Sequence, residues 1–138
     1  MADQPPSASP TSGRTVISVD AMGGDLGPAA VVAGIQKSAH KNPDIAFIVH
    51  GPESELRPLL DKRRLMDRCE IRDVGAVVAM DDKPSQVMRN GQGTSMWSAI
   101  EAVRNGEAEV CVSCGNTGAL MALSIVRLRK LPGVSRPA

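Results

Sequence analysis

Two glycine-rich segments each follow a run of β-branched residues and precede an apolar stretch with helical spacing. The first extends from Asp20 to Pro28 and the second from Ser113 to Ala119. Glycine lets backbone N–H groups approach a ligand closely, and the start of a helix favours negative charge. Either segment alone could be an ordinary tight connector, since glycine is common in turns. Together they predict a site for an anionic group.

The second segment offers two kinds of hydrogen-bond donor. Gly115 and Gly118 leave the backbone open to a ligand, and Asn116 and Thr117 add side-chain donors between them. The combination resembles a phosphate cradle that lacks the lysine of a Walker motif. We expect these four residues to bind an anion.

The first segment joins two glycines to two carboxylates. Gly23 and Gly24 can adopt positive φ, while Asp20 and Asp25 can orient loop amides or pair with a cation contributed elsewhere in the fold. Asp25 has a simpler alternative role, because acidic residues often cap a helix or complement its positive end. Both roles remain open for this carboxylate.

Other motifs that could carry chemistry do not meet their requirements. Gly91 and Gly93 are followed by Met96 where a dinucleotide-binding motif needs a third glycine. Cys111 and Cys114 have CxxC spacing, but an extended strand holds residues three apart at about 10 Å, beyond the roughly 7 Å limit for a disulfide. The sequence therefore disfavours NAD and ATP as cofactors, and redox or zinc chemistry at the cysteines.

The remaining titratable residues indicate no metal centre. His40 and His50 have no partners at ligand spacing, so each is expected to be structural or exposed to solvent. Asp81 and Asp82 form a weaker carboxylate pair, which we place on a solvated turn before Pro84. We predict neither a metal nor a cofactor.

Size and composition exclude several classes of protein. The chain has 138 residues, enough for one domain with its own core, and a net charge of +1 without basic runs interleaved with aromatic residues, so nucleic acid is not an expected partner. Three cysteines without a secretion signal favour the reducing cytoplasm. We expect residues 1–14 to be a disordered tail and residues 15–138 to form an α/β domain. The longest nearly apolar run, residues 118–126, is about half of the roughly 20 residues that span a bilayer.

Three apolar or β-branched runs and one short mixed segment predict strands. The lack of alternation in the second implies burial on both faces, as in a central parallel strand, and the fourth is also expected to be buried. The predicted strands are Thr15 to Val19, Ile45 to Val49, Cys69 to Asp73 and Glu109 to Ser113.

Helical patterns lie between and after these strands. Pro28 suits the first helical position before an apolar stripe, and Pro58 is expected to kink a second helix or confine it to one side. A third helix begins near Pro84 and is predicted to carry Val87 and Met88 inward. Further helices follow a cap at Thr94 or Ser95 and the GNTGA turn; the apolar residues expected to be buried are Val31, Val32, Ile35, Ala39, Met96, Ala99, Ile100 and Val103.

The repeated β-loop-α order predicts the fold class. Such an order gives a mostly parallel sheet with helices on both faces, which is a three-layer α/β/α architecture. Ligands in these sheets bind beyond the carboxyl ends of the strands. Both glycine-rich segments follow strands at that end, so we expect them to lie on one rim.

Five sequence blocks together resemble a known family. They are VDAMGGDLGP, MDDKPSQVMR, GTSMWSAIEAV, VSCGNTGALMA and LPGVSRPA, and they occur in the family's order from about Val16 to Ala138. The chain is similar to the N-terminal part of the bacterial acyl-acyl-carrier-protein:phosphate acyltransferases of phospholipid synthesis. Two positions depart from the family pattern: Cys114 stands where alanine is common, and Gln92 where many relatives have lysine. No anion-binding role is therefore assigned to Gln92.

The resemblance implies an activity and a fold. Members transfer a fatty acyl group from an acyl-carrier-protein thioester to inorganic phosphate, without a redox cofactor. Their fold is similar to the isocitrate dehydrogenase and phosphotransacetylase type and is usually a homodimer. In that setting, we expect Gly115, Asn116, Thr117 and Gly118 to hold phosphate, and Asp20, Gly23, Gly24 and Asp25 to form the opposing wall.

The resemblance also implies that the chain is a fragment, because family members are much longer. We expect these residues alone to be inactive and to leave a strand edge exposed. Two alternatives stay open: a phosphotransacetylase-like enzyme acting on coenzyme A thioesters, and a non-catalytic module that binds phosphate or a partner. The basic, apolar helix from Leu120 to Lys130 also allows peripheral association with the inner face of the membrane, although a buried or dimer-facing role is favoured.

Overall fold

A computed structural model describes residues 8–136 of the chain. Its sheet contains the strands β1 (Thr15–Asp20), β2 (Ile45–Gly51), β3 (Cys69–Asp73) and β4 (Val110–Ser113). The helices are α1 (Gly27–Lys41), α2 (Glu53–Lys62), α3 (Pro84–Asn90), α4 (Ser95–Arg104) and α5 (Thr117–Leu128). The predicted tail falls partly on residues 1–7, outside the described residues. Residues 10–13 form a turn, and the Arg14 guanidinium donates to the carbonyls of Pro10 and Asp67.

The four strands form a parallel sheet in the order β3-β2-β1-β4. β1 and β2 occupy the centre, which confirms the central position predicted for β2. In register, Asp20 of β1 lies beside His50 of β2 and Ser113 of β4. The carboxyl ends of three strands therefore meet at one rim, and each strand has a polar residue at or next to its end.

Alternate residues of the strands face different helices, which we use to name the two faces of the sheet. On the α1 face, Val19 and Val49 pack with α1 and α2. On the α4 face, Val16 and Ile48 pack with Ala102 of α4. Helices thus cover both faces, which confirms the three-layer α/β/α prediction.

The helices begin and end largely where local sequence signals place them. Thr94 caps α4 by accepting a hydrogen bond from the Trp97 N–H. Gly106, at φ 76°, follows this helix and donates to the Val103 carbonyl, while Glu107 donates to that of Ala102. This pair of hydrogen bonds is a Schellman motif, which needs a residue in the left-handed conformation, and glycine adopts that conformation without strain.

Three local expectations are corrected by the structure. β4 is an edge strand rather than a buried one: Val110 and Val112 are each 45% exposed because only the α4 face of this strand is covered. Met88 is exposed, since α3 has only seven residues and buries only Val87. Pro58 does not confine α2 to one side; the helix continues on both sides of it and buries Leu56 and Leu60.

α5 packs on α3 and α4 and remains mixed in exposure. Ala119 and Leu123 are buried, and Arg127 lies 5.0 Å from the centre of the Trp97 ring while pairing with Glu101. Met121 and Val126 are exposed on the outer side. Within residues 8–136, no helix is long and apolar enough to cross a membrane.

Candidate functional site

The two glycine-rich segments meet directly at the carboxyl ends of β1 and β4. A Cβ atom at Gly23 would lie 2.7 Å from the Gly115 nitrogen, 2.8 Å from the Ser113 Oγ and 2.9 Å from an Asp20 carboxylate oxygen. These four residues are called the rim cluster below. Their contact confirms that both segments lie on one rim, and it leaves no room for a side chain at Gly23.

A hydrogen-bond chain holds the rim cluster together. Asp20, only 2% exposed, accepts from the Met22 N–H at 3.2 Å and from the Ser113 hydroxyl at 2.8 Å. The Ser113 Oγ in turn accepts from the Gly115 N–H at 3.1 Å. Asp20 therefore orients loop amides, one directly and one through Ser113, as one of its predicted roles states. The buried carboxylate is compensated by these donors, which is what makes its burial tolerable.

Gly24 and Asp25 continue the first segment away from the rim cluster. Gly24 adopts φ 107°, a conformation that favours glycine, and its missing side chain faces Cys114. Asp25 is exposed, and the start of α1 has no side-chain cap hydrogen bond. The capping role considered for Asp25 is thus wrong as far as a hydrogen bond is concerned.

The Asn116 side chain links two segments of the chain and is called the clasp below. Its Oδ1 accepts from the Ala119 N–H at 3.1 Å and so caps α5. Its Nδ2 donates to the carbonyls of Ala79, Met80 and Asp82 at 2.8 to 3.3 Å. The amide therefore ties the turn before α3 to the start of α5, and its donors are already used.

The start of α5 keeps other donors available. Thr117 is exposed, and among the described residues no acceptor takes the backbone N–H of Thr117 or Gly118. The first turn of a helix leaves such N–H groups unpaired and carries the positive end of the helix dipole. At Gly118, an added Cβ would lie 3.0 Å from the Pro84 ring, so this glycine also allows α3 to pack closely.

Next to the rim cluster, the His50 side chain is completely buried and makes two hydrogen bonds that the sequence pattern did not reveal. The Ser18 hydroxyl donates to the Ala99 carbonyl at 2.7 Å, so it accepts from His50 Nε2 at 2.8 Å. His50 Nδ1 then accepts from the Ser98 hydroxyl at 2.7 Å. Burial, with a smaller contribution from the positive charge of Arg72, lowers the pKa of His50 to about 4. The neutral ring thus joins β1, β2 and α4, in agreement with its predicted structural role.

The remaining candidates lie elsewhere. Cys111 packs with α4 and α5 on one face of the sheet, whereas Cys114 faces α1, and both are free thiols. Asp81 and Asp82 lie on the turn before α3, where the Asp82 carboxylate accepts from the Ala79 N–H. In residues 8–136, no group of three or more His, Cys, Asp or Glu side chains is placed to hold a metal ion.

Ser113 is a member of the rim cluster to which the sequence analysis assigned no role of its own, although it begins the second glycine-rich segment. The available signal was a polar residue at or next to the end of three neighbouring strands: Asp20 ends β1, His50 lies one residue before the end of β2, and Ser113 ends β4. Such residues meet at one rim only once the strand order is known.

Comparisons with known proteins show what the chain is similar to. A family model described as "Fatty acid synthesis protein" matches residues 15–138. The chain is 74% identical over 126 residues to the phosphate acyltransferase of Ruegeria sp. (strain TM1040), covering 91% of this chain and 34% of that protein. It is 64% identical over 139 residues to the phosphate acyltransferase of Ruegeria pomeroyi, covering 100% of this chain and 38% of the relative. The chain thus spans about a third of the length of the curated relatives it matches.

Proposed function

The chain belongs to the fatty acid synthesis protein family, and from that membership we propose that it supplies the phosphate-binding rim of an acyltransferase. In the reaction proposed for the longer protein, an oxygen of hydrogen phosphate attacks the carbonyl carbon of a fatty acyl thioester on acyl carrier protein. The carbon–sulfur bond breaks, the phosphate proton passes to the leaving thiolate, and the products are acyl phosphate and free carrier thiol. The observation that carries the proposal is the direct contact between the two glycine-rich segments beside the free start of α5.

Phosphate is already a nucleophile, so an enzyme needs mainly to position and partly desolvate it. We assign direct contact to the Thr117 hydroxyl and to the N–H groups of Thr117 and Gly118, which are free in the described chain. Gly115 and Asn116 act as positioning residues, because the Gly115 N–H and the Asn116 amide are held by Ser113 and by the turn before α3.

The first segment forms the opposing wall in this proposal. A carboxylate that faces a bound phosphate repels it. The Asp20 carboxylate, however, is turned to Ser113 and Met22 and is almost fully buried. Gly23 brings the wall into contact with Gly115 without interposing a side chain. The rigid wall therefore fixes the loop that leads into α5, which is how preorganised donors act without reorganisation at the moment of reaction.

The test uses a full-length protein in which this chain replaces the matching stretch of the Ruegeria sp. (strain TM1040) phosphate acyltransferase. Thr117→Ala removes the exposed hydroxyl and is expected to raise the phosphate KM about tenfold, the effect of roughly 1.4 kcal/mol. Thr117→Ser keeps the hydroxyl and should recover most of the loss. Met121→Ala, exposed on the same helix but a turn away, is the matched control. A phosphate dependence unchanged in Thr117→Ala rules out the assignment.

Donor identity separates the proposed reaction from its alternatives. Faster acyl phosphate formation from acyl-carrier-protein thioesters than from coenzyme A thioesters supports the proposal. The opposite preference supports a phosphotransacetylase-like enzyme, and phosphate binding without product supports a non-catalytic module.

Cross-linking of the same full-length protein tests the homodimer that the family resemblance implies, and liposome flotation tests peripheral membrane association.

A further inference from the structure

The α1 face of the sheet carries an open groove beside the rim. Its volume is about 550 Å³, and it runs along α1 over β1 and the edge strand β4. The floor consists of Ile17, Val19, Phe47 and Val112. Apart from Asp20 and Asp25 at the rim and Ser38 on α1, the lining is apolar or glycine. The groove therefore has the composition of a packing surface.

The side of α1 that lines the groove carries small residues. Gly34 lies in the middle of this helix, where glycine costs about 1 kcal/mol relative to alanine. Within the described residues, nothing lies within 4 Å of the place where a Cβ of Gly34 would be. Ala30, four residues earlier on the same face, is also exposed and lines the groove. Packing against other elements of the described chain thus does not explain the glycine at position 34.

The part of the floor formed by β4 is uncovered for a topological reason. α1 and α2 connect β1 to β2 to β3 and cover the α1 face on that side, whereas α4 and α5 cover β4 on the opposite face. The valines of β4 that point to the α1 face, Val110 and Val112, consequently remain 45% exposed. Strands of parallel sheets are normally covered on both faces.

The size and shape of the gap fit a helix. Packed helices lie about 8–10 Å apart, and the closest approach requires small residues at the contact. A helix beside α1 would cover roughly two strands, which are about 4.8 Å apart, and these are β1 and β4 here. A flexible hydrocarbon chain, in contrast, gains contact area from larger side chains, so glycine would weaken its site.

We propose that an amphipathic α-helix, supplied by the part of the family's longer polypeptide outside these 138 residues, packs into this groove beside Ala30 and Gly34. Length is available, because the chain covers only 34% and 35% of two phosphate acyltransferase relatives. The helix places its apolar stripe on Val19 and Val112 and completes the third layer over β4. Its end at the rim comes next to Gly24 and Cys114, which line the same groove.

The first test compares Gly34→Leu in the isolated chain and in the full-length protein described above. In the isolated chain the new side chain meets open space and improves helix propensity, so the urea midpoint is expected to rise. In the full-length protein it obstructs the docked helix, so the midpoint is expected to fall. Ala29→Leu, exposed on α1 outside the groove lining, is the matched control and should shift both midpoints in the same direction. Equal shifts for Gly34→Leu in both proteins would overturn the proposal.

The second test measures alkylation of Cys114, which is exposed and lines the groove. Burial raises the pKa of both Cys69 and Cys111 to about 12, so neither competes for the reagent. We expect the rate at Cys114 to fall at least tenfold in the full-length protein and to recover in its Gly34→Leu variant. An unchanged rate contradicts the proposal, as does protection that appears only when hexadecanoic acid is added. Protection of the isolated chain that disappears on dilution indicates a second copy in the groove and also overturns it.

Discussion

The two faces of strand β1 differ in how completely the chain covers them. On the α4 face, the buried polar residues Ser18 and Asp20 find partners in His50, Ala99 and Ser113. On the α1 face of the same strand, Ile17 and Val19 line an open groove. Along β1, the polar side chains are thus buried where they find hydrogen-bond partners within the chain, whereas the groove on the apolar face stays open. The reason is that an unpaired buried polar group costs about 1–3 kcal/mol, but an exposed valine costs far less.

The largest expected effect is the loss of folding stability at low pH, which tests the buried polar contacts of the α4 face. The pKa of His50 is about 4 in the folded chain, below its ordinary value of 6.5. Above pH 6.5 the ring is neutral in both states and its contribution is complete. As pH falls from 6.5 to 4, the unfolded chain gains a proton that the folded chain resists, so the free energy of unfolding should drop by roughly 3 kcal/mol.

Urea unfolding between pH 7 and pH 4 measures this loss. The matched variant His50→Gln has no ring to titrate and should show a flatter profile in the same window, while His40→Gln, on the exposed surface, should follow the parent chain. If His50→Gln loses stability as steeply as the parent, the polar packing on the α4 face is not what acid disrupts.

The next effect contrasts a glycine packed inside the rim cluster with a glycine in the open part of the groove. Gly23→Ala places a Cβ 2.7 Å from the Gly115 nitrogen, so the rim cluster must shift and the free energy of unfolding should fall by about 2 kcal/mol. Gly34→Ala in the open groove should raise it by about 0.5–1 kcal/mol in the isolated chain. Chemical denaturation measures both, and changes of the same sign in the two variants contradict the contrast.

A smaller loss is expected from the clasp beside the rim. Asn116→Ala removes the cap of α5 and the bonds to the turn before α3, and should cost between about 1 and 2 kcal/mol of unfolding free energy. Asn116→Ser retains an oxygen that can cap the helix but loses the amide donors, so it should recover about half. Hydrogen exchange at Ala119 and in the turn at residues 79–82 distinguishes the two contributions. Equal exchange in all three proteins means that the clasp does not hold the turn.

The smallest effect belongs to the uncovered face. Val112→Thr changes a side chain that is 45% exposed on the edge strand, and should alter stability by less than about 0.5 kcal/mol. Val16→Thr buries a hydroxyl on the α4 face, where the parent residue is 5% exposed, and should cost about 1–3 kcal/mol. Thermal unfolding of both variants measures the difference, and similar losses would mean that the two faces are equally covered in solution.

Much of the fold follows from local signals. Apolar or β-branched runs located three strands and a short mixed segment located the fourth, while a cap residue located the start of α4 and the glycine-rich turn at residues 115–119 that of α5. These signals are local, because helix caps and strand preference depend on a few neighbouring residues. Met88 and the exposure of β4 were predicted wrongly. Both depend on how many elements cover a surface, and periodicity within one segment carries no information about its neighbours.

Residue types and spacing show that two glycine-rich segments follow strands, and they predict an anion site at the start of α5. How the two segments are connected depends on the tertiary structure. In the folded chain, the Asn116 amide donates hydrogen bonds to the turn before α3, and Ser113 links Asp20 to Gly115. Gly23 packs against the second segment. Residue types state which hydrogen bonds are possible, but the strand order β3-β2-β1-β4 sets which groups come within reach. That order brings residues 93 positions apart, Asp20 and Ser113, to a separation of 2.8 Å.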